Sequence, residues 1–176
     1  MFPVSVAAYV VVFVLVIAVA ERVRAPGVLP AALRAHGVVP RAAVGPVAVV
    51  VTAAEAVLAV LLVAGLVRDG GPSPLGFSCA AVLFAAYGGY AWHVTASGRG
   101  GPCGCGGAEV PMGPWVTGRA AAFAALAATA AAANGSVLPL TRFDDRLVTV
   151  LLAAATIGIL LWHLPAAMTR HPEVVR

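Results

Sequence analysis

The sequence predicts an all-α polytopic membrane helix bundle with about five transmembrane helices. Hydrophobic residues fill 61% of the 176 positions and charged residues only 10%, where a soluble domain carries about 25% charged residues. The mean hydropathy is +0.98. The apolar residues also fall into five runs, each close to the roughly 20 residues that a helix needs to cross the hydrocarbon core.

The first run, Val4 to Ala20, has a rival interpretation as a signal peptide, because Ala18-Val19-Ala20 resembles a cleavage site. The lack of a basic residue before it and the length of the run favour a retained span. The connection Glu21 to Gly45 follows. In it Leu29, Leu33 and Val38, with Arg34 and Arg41 on other faces, predict a short amphipathic helix at the interface. It begins after Pro30 and ends at Gly37; the alternative is a simple connector. The second span, Pro46 to Val67, stops before the breaker Asp69-Gly70-Gly71-Pro72. The third, Leu75 to Ala96, runs into the glycine-rich stretch Gly98 to Gly107. The fourth, Val116 to Ala133, carries Ala120, Ala121, Ala122, Ala124 and Ala125, small residues that allow close helix approach and place it inside the bundle. Asn134-Gly135 ends it, and Leu147 to Leu164 is the fifth span. No internal repeat divides the chain, so residues 1–176 read as one integral membrane domain.

The formal net charge is +4, and all eleven basic residues are arginine. They lie outside the apolar runs or at their edges, where charge sets topology and meets lipid headgroups. No basic cluster with interleaved aromatics accompanies them, which argues against nucleic acid as a partner. The lipid bilayer is the expected environment.

Four features carry chemistry. Cys103-Gly104-Cys105 places two thiols one residue apart, and a glycine between them offers no Cβ to oppose the backbone angles of a small disulfide ring. Strained, accessible disulfides belong to the catalytic or regulatory end of the redox range. A metal reading needs further ligands, since only Glu109 is near in sequence and His93 and His36 would have to be brought in; no metal is expected. Incidental thiols are the third alternative, and Cys79 reads as a small buried hydrophobe.

Glu55 is the second feature, about nine residues into its span. A carboxyl at that depth is expensive and marks a functional site by default. It should face the bundle, where it can relay a proton, donate a hydrogen bond to a bound quinone, or simply tie two helices together. Third, Tyr87, Tyr90, Trp92 and His93 end the third span. An interfacial aromatic belt accounts for Tyr90 and Trp92, while His93 can assist thiolate formation. Trp162-His163 repeats the pairing and reads as an anchor. Fourth, Arg119 either snorkels to the headgroups or folds toward the cysteines, where its charge favours the thiolate.

Taken in order, Arg22 to Pro40 after the first span, Glu55 in the second, CGCGG at 103–107 and Gly118-Arg119 opening the next helix, the chain resembles the methylamine utilisation protein MauE family, related to DoxX-type membrane proteins. The resemblance covers roughly residues 4–135. The family often has CGCFG where CGCGG stands here, and often a lysine where Glu21 and Arg22 stand. The resemblance implies a four-helix DoxX-like core plus one further helix, in a bacterial inner or plasma membrane. It also implies a part in maturing an exported redox protein, as MauE is associated with the small subunit of methylamine dehydrogenase, alongside a thioredoxin-like partner. By position, Cys103 and Cys105 would be the exchanging pair of a membrane thiol-disulfide oxidoreductase, with Glu55, His93 and Arg119 in support.

The arginine distribution opposes this. With five spans, eight arginines share the side of the cysteine loop and three lie on the other, so the positive-inside rule puts the loop in the cytoplasm. Disulfides persist on the opposite face, and the family resemblance places the loop there. The rival functions are a small-molecule or proton-coupled transporter with Glu55 as coupling carboxylate, disfavoured by the absence of an inverted repeat, and a non-catalytic scaffold subunit.

Overall fold

The computed structural model describes residues 2–68, 73–104, 110–141 and 144–169. Six α-helices follow one another: α1 (Phe2–Arg24), α2 (Val28–His36), α3 (Arg41–Val67), α4 (Pro74–Ala96), α5 (Pro114–Ala132) and α6 (Asp145–Thr169), with a 3-10 turn at Asn134–Ser136. All but α2 are long and apolar enough to cross a membrane. The chain is a multi-pass, all-α membrane protein, and no β-strand occurs among the described residues.

Local signals set several of the helix ends. Ser73 precedes Pro74, and its hydroxyl accepts from the Leu75 N–H at 3.3 Å; proline at the first helical position loses nothing there, because its missing N–H has no partner in the first turn. Asp144 caps α6 by accepting from the Leu147 N–H at 2.8 Å. Gly37 closes α2 at φ +63°, the left-handed conformation that glycine adopts without a Cβ clash. Two starts differ from expectation. α2 begins at Val28 and contains Pro30 in its first turn. α3 begins at Arg41 and runs through Pro46; the carbonyl this leaves unpaired belongs to Ala42, an exposed residue. Glu55 is therefore the fifteenth of the 27 residues of α3, deeper than the sequence suggested. The Asp69–Pro72 join lies outside the described residues.

Lipid tails are as apolar as leucine, so packing rather than water exclusion holds such helices together. α1 is at the centre, with 56% of its most apolar window buried against 33% for α5. It packs on α3, α5 and α6. The alanine-rich α5 was expected inside the bundle; it packs on α1, α4 and α6, but the central place belongs to α1. The small residues instead bring α5 close to α4, where a Cβ added at Gly88 would lie 3.6 Å from the Ala120 Cβ. Cys79 is exposed on α4, not buried: a helix flanked by lipid is apolar all round, so its sequence does not tell the outer face from the inner.

This up-and-down arrangement gathers the C-terminal ends of α1, α4 and α6, the N-terminal ends of α3 and α5, and α2 at one end of the bundle. The cysteine loop joins α4 to α5 there.

Candidate functional site at the cysteine loop

Backbone pairing fixes the neck of the loop. Pro102 and Pro111 oppose each other in an isolated antiparallel bridge. As neither has an N–H, their neighbours make the bonds: Cys103 N–H to the Val110 carbonyl at 2.7 Å and Met112 N–H to the Gly101 carbonyl at 2.8 Å. The neck lies on α2. A Cβ at Gly104 (φ +70°) would stand 2.7 Å from the Ala32 Cβ, and one at Gly101 (φ +152°) would stand 2.8 Å from the His36 ring. Glycine is required at both places by backbone angle and by contact.

Further side-chain bonds tie the loop to α2 and α1. His36, buried in α2, meets the Pro102 carbonyl through Nε2 at 2.9 Å and the Tyr90 hydroxyl through Nδ1 at 3.0 Å. A carbonyl only accepts, so Nε2 carries a proton, and in the neutral ring Tyr90 donates to Nδ1. Arg99 donates to the Gly37 carbonyl at 2.9 Å. The Arg22 guanidinium donates to the Gly104 carbonyl. The short helix predicted to be an interfacial element or a connector is thus the seat of the cysteine loop.

Cys103 is 8% exposed and packs among Ala91, Val116, Val110 and Met112. Arg119, equally buried, lies over it: Nη2 donates to Sγ at 3.6 Å and Nη1 to the Trp162 carbonyl at 3.0 Å, with the guanidinium 5.4 Å from the Trp162 ring centre. Of the two alternatives for Arg119, the structure takes the one facing the cysteine. Trp162, read as an anchor, helps to hold that cation, a favourable arrangement over an aromatic face.

Glu55 is 2% exposed and faces the bundle, as expected. Tyr87 donates to Oε1 at 2.8 Å and Arg22 Nε to Oε2 at 3.4 Å. The ion pair is almost wholly out of solvent, with side-chain exposures of 10% and 3%. Arg22 therefore bridges the carboxylate at mid-helix and the carbonyl of the residue that follows Cys103.

A cavity of about 320 Å³ lies among these groups. Its walls are largely aliphatic and aromatic, and Cys103, Arg119, Arg22, Glu55, Tyr87 and His36 all border it. On α3 it is lined by Val47, Val51 and Glu55, on α4 by Leu83, Tyr87 and Tyr90; each set recurs about once per turn and so shares one face.

Cys103, Glu55 and Arg119 thus border one cavity, with Glu55 at mid-helix beneath the loop. His93 does not join them: it is exposed on α4, while His36 is buried and bonded elsewhere. Cys105 and Glu109 lie outside the described residues. Sequence reasoning missed Arg22 as a partner of Glu55, and it noted His36 only as a distant ligand for metal. The buried positions of α2, Ala32, Leu33 and His36, recur at i, i+1 and i+4, a pattern that could have indicated an inward face.

Five spans and a thiol-bearing loop seated over a buried ion pair define a class of small polytopic membrane proteins. The family model for the methylamine utilisation protein MauE matches residues 1–133, and the chain belongs to that family, a group of membrane proteins associated with methylamine utilisation. No curated protein and no solved structure matches the chain.

Proposed function

We propose that the chain is a thiol-disulfide exchange protein of a bacterial inner or plasma membrane. In this reading it oxidises thiols of an exported redox protein, such as a subunit of methylamine dehydrogenase, directly or through a thioredoxin-like partner. The observation that carries it is the Arg119 guanidinium 3.6 Å from a buried Cys103 sulfur. A cation beside a sulfur favours the thiolate, and a stabilised thiolate is a good leaving group in disulfide exchange.

The burial of Cys103 divides the labour. A partner thiolate attacks Cys105 in the Cys103–Cys105 disulfide, the S–S bond breaks, and Cys103 leaves as the thiolate held by Arg119. A second partner thiol then displaces Cys105. The partner keeps a new disulfide, and the pair holds two electrons and, with protons, two thiols. Glu55 belongs to the support of the loop: both its oxygens are engaged, by Tyr87 and Arg22, which gives the transporter reading no particular backing.

The test uses single variants in cells or membranes supplied with the exported partner. Supplied with the oxidised partner, Cys103→Ser keeps the Cys105 thiolate that attacks the partner disulfide but lacks the Cys103 thiol that would complete the reverse exchange, so a partner adduct should accumulate on Cys105; Cys105→Ser should accumulate far less. Normal partner maturation with both cysteines replaced would rule the proposal out.

A further inference from the structure

Building on that exchange reading, we infer that the cavity beside Cys103 binds the ring of a membrane isoprenoid quinone, which takes the two electrons of the Cys103–Cys105 dithiol. The exchange leaves the pair reduced, and its next turnover needs a two-electron acceptor that can reach Cys103 from the bilayer side. Three properties of the cavity fit such an acceptor.

Volume and lining come first. About 320 Å³ is at the lower end of ligand sites, which span about 300–1,000 Å³ and combine apolar walls with a few placed polar groups. That accommodates a ring, with the tail continuing into lipid. Access is the second property. Val47, Val51 and Ala86 on its walls keep surface exposure on the flank of the bundle formed by α3 and α4. A ligand dissolved in the bilayer can enter there. Donors are the third. A quinone ring presents two carbonyls, and each guanidinium has five N–H donors. The bonds described engage two on Arg22 and two on Arg119, so each retains donors for a ring oxygen. An acyl chain would need neither the donors nor the sulfur on the wall.

The step balances within the site. Two S–H bonds are lost and one S–S bond forms. The quinone carbonyls become hydroxyls by accepting two electrons and two protons, and the quinol returns to the bilayer.

Purified, fully reduced protein is mixed with decylubiquinone, and quinol formation is followed by absorbance alongside alkylation of the remaining thiols. Exchange with glutathione disulfide is measured in parallel. The expected result is one quinol per pair of thiols lost, with Ala86→Trp and, independently, Val51→Trp slowing quinone reduction at least tenfold while glutathione exchange is retained. Two results would overturn the inference and leave the exchange reading standing: a pair that exchanges with glutathione disulfide but does not reduce decylubiquinone, or tryptophan variants that fold yet reduce it at the parent rate. A pair inert toward both oxidants would overturn the exchange reading and this inference together.

Discussion

Arg22 answers two demands at once, neutralising Glu55 inside the bundle and holding the Gly104 carbonyl above it. A buried ion pair that loses one partner leaves an uncompensated charge, which costs about 3–5 kcal/mol. Glu55→Ala should lower the resistance of the purified protein to thermal unfolding by that order, and Arg22→Met with Glu55→Leu should recover most of it. Equal stability of Glu55→Ala and the parent would mean that water reaches the pair. Glu55 and Arg119 were legible in the sequence, because one charge in or beside an apolar run is conspicuous. Arg22 was not: arginine at a helix end is ordinary, and its carboxylate partner lies 33 positions later. Trp162 was hidden for the same reason, since a terminal tryptophan already has an explanation at the interface.

At the scale of the element, α2 is the least apolar helix and the one with most bearing on the thiols. Ala32 is 1% exposed and lies directly beneath Gly104. Ala32→Leu should therefore lift the Cys103–Gly104 turn, raising the alkylation rate of Cys103 several-fold while far-ultraviolet circular dichroism stays unchanged. An unaltered rate would show that the turn does not depend on α2. The existence of α2 and its stop at Gly37 were readable from amphipathic pattern and glycine chemistry. Its partner was not, because the contact joins segments about 70 residues apart and is made through glycines, which carry no apolar periodicity. The five spans were legible for the opposite reason: each satisfies its own backbone groups in lipid and advertises itself by length alone.

Across the whole molecule, the fold alters the charge census that sets orientation. Arg22 and Arg119 are two of the eight arginines on the loop side, and both are engaged inside the bundle. Six against three remain, still enough for the positive-inside rule to favour a cytoplasmic loop, whereas oxidation of an exported partner requires the other face. Membrane-impermeant maleimide applied to intact cells in a Cys79→Ala background should label the loop from outside through Cys105, Cys103 being buried, and only after reduction. Labelling confined to permeabilised cells would place the loop inside and remove the oxidative role. The seating of Gly101 and Gly104 on α2 bears on any attempt at protein engineering. The five-residue CGCGG string is not a transferable module. A graft into another scaffold would have to bring Arg22, the Ala32 and His36 face, Glu55 with Tyr87, and Arg119 in register, so the smallest portable unit is most of the bundle itself.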